Sequence, residues 1–325
     1  MAALFFSAMR VNIATLGVLL AALMACESPV AVTAEGNLPN DAGIRLHYIV
    51  VGTGPDTVIV LHGGPGLHSA YLLEALRPLA PRRTLIFYDQ RGRGRSDPPA
   101  DSLGYSATQD ATDLESVRRF FHLEQFAVVG HGWGAGLAAL YAMDHPDRVS
   151  RLLLISPMFP RGDYLWDLTM RHADGRDTSG LDGLMAARQS GLDTRDPVAF
   201  CRQYWGALLS PTPVKDRSVL RQMSGTVCDA SAAALRRVEL INRRVNASLG
   251  GWDWHERLAT IHAPVLVVQA RGSETWLAAA REWVASLPDA RLISLGNVPQ
   301  FSWLGVGSRF VTTAGRFLDG RWPNP

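Results

Sequence analysis

The stretch Val128-Val129-Gly130-His131-Gly132-Trp133-Gly134-Ala135-Gly136 decides the fold. An apolar run beginning at Phe126 breaks into a glycine-rich turn and continues as a helical segment from Trp133 to Asp144. Strand, tight turn and helix together lift one residue above the end of a parallel sheet, where it is presented to whatever lies there. The residue at the head of this turn is Gly132, which has no side chain to present.

Working outward, Thr57 to Leu61, Thr84 to Tyr88, Arg151 to Ile155, Val265 to Val268 and Arg291 to Leu295 read as further strands. Their mostly unbroken apolar character is that of parallel strands buried on both faces. Ile44 to Gly52 alternates instead, as a half-exposed strand does. Helical stretches fall between them, including Ala107 to Phe121, Trp276 to Leu287 and Ser308 to Leu318. The alternation predicts an α/β fold: a mostly parallel sheet covered by helices on both faces. It lapses once, over residues 158–263, which carry helical runs and no strand-like run. A gap of that length is not structureless in a compact domain, so it is expected to be an inserted helical cap on a core of residues 41–157 and 264–325. The cap holds Tyr164, Trp166, Tyr204, Trp205, Trp252 and Trp254, either as a lid over a pocket or as its own small core.

The 325 residues suffice to bury a core, with 47% apolar and 19% charged residues. A net charge of +2 without a run of like charges gives no reason to expect nucleic acid. No Cys-x-x-Cys or His/Cys ligand spacing occurs, and neither metal nor cofactor is expected.

The amino terminus reads differently. Arg10 precedes the apolar run Ile13 to Leu23, which Leu23-Met24-Ala25-Cys26 closes. The run is too short to span a bilayer and reads as a secretory signal over residues 1–26, with Met9 an alternative start. Its ending resembles a bacterial lipobox, although Met24 is a less usual residue there. Cys26 is then the lipidated residue that anchors an exported protein to a bacterial membrane. The alternative is an ordinary signal peptide that contains a cysteine. Residues 27–40 are expected to be a flexible tether. In an exported chain Cys201 and Cys228 form an even pair, expected to bridge rather than stand as two separately buried thiols.

His62-Gly63-Gly64-Pro65-Gly66, Asp89-Gln90-Arg91-Gly92-Arg93-Gly94-Arg95-Ser96 and Gly130-His131-Gly132-Trp133-Gly134, in this order and spacing, resemble the α/β-hydrolase superfamily. The resemblance is to its proline iminopeptidase-like branch, and it runs from residue 42 to the end, including Phe317 to Pro323. The frame of His131 and Trp133 also resembles epoxide hydrolases, which carry Asp at the centre. The resemblance implies an α/β-hydrolase fold with a cap. It also implies a nucleophile, a base, an acid to orient the base, and backbone donors for an oxyanion.

Taken in turn, the donors are in place: the motifs assign them to the backbone N–H of Gly64 and of Trp133. The same glycines also serve close backbone packing, which is a purely structural reason for them. The nucleophile position is Gly132, and no Ser, Cys or Asp version of the motif occurs elsewhere. Relatives place the acid in Gly-Arg-x-Asp, where this chain reads Ala270-Arg271-Gly272-Ser273, with Glu274 one place later as a substitute. They place the base after the last strand, where this chain has Gln300, and glutamine does not accept and return a proton near neutral pH. The last of the nine histidines is His262, ahead of the strand that begins at Val265, so no shift of register supplies the base. His262 reads as packing, and His131 is the remaining histidine beside the turn.

All three positions depart from the pattern. Removing a triad leaves only about a thousandfold to ten-thousandfold advantage over water. The expected function is that of an exported, lipid-anchored hydrolase homologue that binds a small molecule, a peptide or a protein partner without turnover. One alternative is an active hydrolase of an ester, epoxide or peptide-like substrate, with water activated by Glu274 or His131 against the retained donors. Another is an interaction lipoprotein whose pocket is unused. The aminopeptidase branch also needs cap acids for a substrate amine, and the sequence does not single them out. Glycine at the head of the turn is further expected to relieve the backbone strain that a serine would carry there.

Overall fold

The computed structural model describes residues 30–163, 179–209, 215, 217–272, 274–298 and 300–324. The signal segment with Cys26, together with Tyr164, Trp166 and Ser273, lies outside the described residues.

The strands are β1 (Val32–Pro39), β2 (Arg45–Val51), β3 (Asp56–Leu61), β4 (Arg83–Tyr88), β5 (Phe126–His131), β6 (Val149–Ile155), β7 (Val265–Gln269) and β8 (Ala290–Ser294). They form one sheet in the order β1-β2-β4-β3-β5-β6-β7-β8. β1 and β2 pair antiparallel, as do β2 and β4, and every other neighbouring pair is parallel. Successive residues of the parallel strands enter different cores. Ile59, Leu61, Val128, Leu152 and Leu154 face one, while Val58, Val60, Val129, Leu153 and Ile155 face the other. Burial on both faces is why these strands read as unbroken apolar runs.

Helices α1 (Ala70–Leu76), α2 (Ala107–Phe120) and α3 (Trp133–Asp144) follow β3, β4 and β5. Among the described residues, six more lie between β6 and β7: α4 (Ser179–Gln189), α5 (Leu192–Arg195), α6 (Pro197–Leu209), α7 (Arg217–Val227), α8 (Ala232–Leu249) and α9 (His255–Leu258). α10 (Glu274–Ser286) and α11 (Gly307–Leu318) complete the chain. α2, α3 and α10 cover one face of the sheet, through Leu114, Leu137 and the fully buried Trp283. α1 and α11 cover the other, where α11 buries Phe310, Thr313, Ala314, Phe317 and Leu318. Those positions recur every three or four residues, the apolar stripe of a helix lying on a core. None of the described helices is long and apolar enough to cross a membrane.

The expected tether needs correction. Residues 32–39 are the edge strand β1, paired with β2 from Val32↔Val51 to Pro39↔Arg45. Its polar sequence follows from its place, because an edge strand leaves most side chains in solvent, and only Leu38 is buried. Its end is fixed by the buried Asn40, whose Oδ1 accepts from the backbone N–H of Ala42 and Ile44 and whose Nδ2 donates to Asp113 at 2.5 Å.

Where the chain enters and leaves the helical insertion, Arg161 and Asp253 form an antiparallel bridge. Gly162 N–H donates to Trp252 O and Trp254 N–H to Pro160 O, closing the neck. Within the insertion, Cys201 on α6 and Cys228 just past α7 are joined by a disulfide, with Cα atoms 5.8 Å apart.

Candidate functional site

The strand order reverses about β3: β4 lies on one side of it and β5 on the other. Crevices at the carboxyl ends of strands beside such a reversal are where open α/β sheets bind ligands. Here β3 runs into the His62–Gly66 loop, β4 into the Asp89–Ser96 loop, and β5 into the turn at Gly132. A cavity of about 720 Å³ opens at this point, between the strand ends and the helices of the insertion.

Gly132 has φ +55° and ψ −114°, a backbone state that residues with a Cβ rarely hold. β6 anchors the turn, since Gly132 N–H donates to Ile155 O and Met158 N–H to Gly132 O. Two residues on, a Cβ at Gly134 would lie 2.2 Å from Leu61 O, so the helix is packed directly on the β3 backbone. At Gly132 the space is open: an added Cβ meets only Gly63 Cα, at 3.8 Å. There is room for a side chain here, and glycine supplies none. Gly64 and Trp133 both line the cavity, and neither backbone N–H has a hydrogen-bond partner among the described residues. The peptide bond between Gly64 and Pro65 is cis.

The loops around Gly132 are locked by buried polar groups. His62 Nδ1–H donates to Gly63 O at 3.0 Å, and Nε2 accepts from the backbone N–H of Gln90. Burial pulls the His62 imidazole down to about 3, so it is neutral in this role. The Gln90 carboxamide donates to His62 O and accepts from the Trp133 indole N–H, both at 2.9 Å. Arg93 grips Asp110 through two bonds of 2.7 and 2.8 Å and donates from Nε to Pro65 O. Arg91 pairs with Asp113 through two bonds of 2.7 Å. Burial opposes ionisation of Asp89, yet the adjacent histidines His47, His68 and His62 and the Ser69 amide hold its carboxyl below the usual range. The Asp89–Ser96 segment is therefore a brace for the His62–Gly66 loop.

His131 is buried in the cavity wall. Gly63 N–H donates to the Tyr71 hydroxyl at 2.8 Å, and that hydroxyl donates to His131 Nδ1 at 2.6 Å. On the other side of the ring, Nε2–H donates to the backbone carbonyl of Gln300 at 2.5 Å. These partners fix the tautomer, and burial pulls the imidazole down to about 4. The ring also lies over Phe301, 25° from parallel, with centroids 5.5 Å apart. Both nitrogens are thus committed to joining the Gly63 loop to the Gln300 loop, which corrects the reading of His131 as a water-activating base.

Glu274 does not reach the cavity. It opens α10 with its side chain 84% exposed and pairs outward with Arg281 at 3.6 Å, which corrects its reading as a substitute acid. Gln300 does line the cavity, with an exposed side chain. The cap aromatics divide: Tyr204, Trp205 and Trp252 line the cavity, while Trp254 is buried against Trp283. Sequence reading missed Tyr71, which no motif marks. It also missed Ser156, a cavity residue at φ +42° whose hydroxyl lies 2.7 Å from that of the buried Ser302.

Comparison with known proteins agrees with this geometry. The model of the alpha/beta hydrolase fold family matches residues 56–298. A proline iminopeptidase of Lactiplantibacillus plantarum is 32% identical over 85% of this chain and 97% of its own length. One from Heyndrickxia coagulans is 40% identical over 104 residues, a match that spans 36% of that relative. The crystal structure of the Mycobacterium smegmatis proline iminopeptidase superposes with a TM-score of 0.67 at 22% identity, covering 88% of this chain and 98% of that one. Sheet order, site position and sequence agree that the chain belongs to the α/β-hydrolase fold family, on its proline iminopeptidase-like branch.

Proposed function

We propose that this protein binds a ligand in the cavity above Gly132 and does not turn it over by the acyl-transfer route of its family. One observation carries the reading: the turn at Gly132 keeps the backbone of a nucleophile position and the space for a side chain, and has no attacking atom. Two others support it. The nearest imidazole, His131, has both ring nitrogens engaged, and Glu274 points to solvent. The open N–H groups of Gly64 and Trp133 remain able to hold a carbonyl oxygen in place, which is binding without chemistry. We also propose that the protein is exported and lipid-anchored at Cys26. The basic and apolar pattern of residues 1–26 supports this, as does a disulfide of the kind that persists outside the cytosol.

Turnover decides the matter. Purified mature protein is assayed on short-chain aryl esters, an epoxide and prolyl arylamides, beside His131→Ala and Glu274→Ala. The expected result is no turnover above that of the variants. Clear activity lost in either variant would overturn the proposal in favour of an enzyme with rearranged catalytic groups. The triple change Gly132→Ser, Ser273→Asp and Gln300→His is expected to restore some esterase activity, and Gly132→Ser alone is not.

A further inference from the structure

Every charged side chain that the described residues place in the cavity wall, the imidazoles aside, lies on the cap side: Arg188, Asp193, Arg236 and Glu239. The two carboxylates come from different helices, Asp193 from α5 and Glu239 from α8. Left to themselves, they would give the cavity a cation-binding rim of the kind a free amine requires. Arg188, on α4, stands between them. Its Nη2 pairs with Glu239, its Nε lies 3.5 Å from Asp193, and its guanidinium sits 5.9 Å from the centre of the Phe200 ring on α6. Arg236 donates to the Thr194 carbonyl at 2.8 Å. Two guanidiniums and two carboxylates leave this described rim without net charge.

Deeper in, the wall is largely aromatic: Trp133, Phe159, Trp205, Trp252, Trp276 and Phe301. Its described polar groups include no Asp, Glu, Lys or Arg side chain. They include the N–H groups of Gly64 and Trp133, and the carboxamides of Asn242 and Asn246, one turn apart on α8. Asn242 Oδ1 accepts from Gly66 N–H at 2.8 Å, so this pair stands directly beside the His62–Gly66 loop. An ammonium entering this space finds its carboxylates already taken. A carboxylate finds neutral donors here and, among the described residues, cations only at the rim, where Arg188 is held by two acids and Arg236 by the Thr194 carbonyl, so its lost hydration is not recovered.

We propose that Arg188 sets the charge selectivity of the cavity, engaging both of its acidic residues and, with Arg236, leaving the rim without net charge, so that the cavity accepts uncharged aromatic or apolar ligands bearing a carbonyl. The inference rests on the binding function proposed above and adds the class of ligand.

The test uses three naphthalene probes of similar size: 1-naphthaleneacetamide, 1-naphthylmethylamine and 1-naphthaleneacetate. Each is titrated calorimetrically into the full mature protein and into Arg188→Met, which keeps the apolar stem over Phe200 and drops the charge. The wild-type protein is expected to bind the amide about tenfold more tightly than either ion. Arg188→Met is expected to bind the amine about fivefold more tightly than wild type, with amide affinity unchanged and the gain lost at high salt. A wild-type preference for the amine or the acetate, or a variant with unaltered amine affinity, would overturn the role of Arg188 and leave the binding function standing. Failure of all three probes to bind either protein would overturn both. Release of ammonia from the amide would overturn only the absence of turnover.

Discussion

Arg93 and Arg188 each hold carboxylates at the cavity, and they do so in opposite ways. Arg93 and its partner Asp110 are fully buried, joined by two bonds, and tied on to Pro65. Arg188 is about half exposed, spread over two carboxylates on two helices, and replaceable by water. The same contrast runs through both regions. Strand-end loops form the floor, with the buried groups His62, Gln90 and His131 each satisfied by main-chain partners. The roof is made of cap helices linked by solvent-facing ion pairs and one disulfide. The difference teaches that the geometry of the site belongs to the floor, while its selectivity belongs to the roof. It also accounts for the shape of the turn around Gly132, since none of these floor bonds depends on a side chain there.

The contrast can be broken by mutation, and the largest effect is expected in the floor. Arg93→Ala leaves Asp110 buried and unpaired, at a cost of about 3 to 5 kcal/mol in denaturant-monitored stability. A cost below that of any roof variant would remove the distinction. In the roof, replacing both Cys201 and Cys228 by Ser frees a loop with a sequence separation of 27 and is expected to cost about 3 kcal/mol, read as a lower Tm that reductant no longer changes. His131→Phe keeps a ring over Phe301 and leaves the Tyr71 O–H without its acceptor and the Gln300 carbonyl without the imidazole donor, for about 1 to 3 kcal/mol.

That variant also carries a pH signature. The folded pKa of His131, about 4, lies below the 6.5 of a free histidine, so the unfolded chain takes up the proton first as pH falls. The stabilisation from this neutral ring is therefore complete above pH 6.5 and lost on the way down to about 4. Stability measured across this window should fall less steeply in His131→Phe than in wild type, with His62 still contributing. Gly132→Ser is expected to cost about 1 kcal/mol, because the space is open and only the backbone objects. An unchanged or higher Tm would discard the idea that glycine relieves strain. Smallest of all, Arg188→Met should change stability by less than about 1 kcal/mol, as befits an exposed pair.

The parallel strands and the turn at Gly132 were legible because burial on both faces and close backbone packing leave plain marks: apolar runs and glycines. Gln300 could be placed at the cavity because it follows closely on the last strand, whose carboxyl end opens there. β1 was not legible, since its bonds are main-chain bonds and its exposed side chains carry no pattern. Nor was the engagement of His131, which depends on Tyr71 and on a carbonyl 169 positions away. The Arg188 bridge was hidden for a related reason: exposed ion pairs draw on the commonest surface residues, and nothing in the order of residues selects one arginine.

The antiparallel entry of β1 also sets a direction. Val32 lies level with Val51, which pairs with Leu85 near the start of β4, so the chain enters the sheet at the edge opposite the cavity. From Cys26 to Val32 the chain can extend at most about 20 Å. A lipid at Cys26 would therefore keep the protein standing close on the bilayer, with the amino ends of its parallel strands toward the headgroups. The cavity would open outward, away from the lipid, to whatever diffuses past the membrane surface.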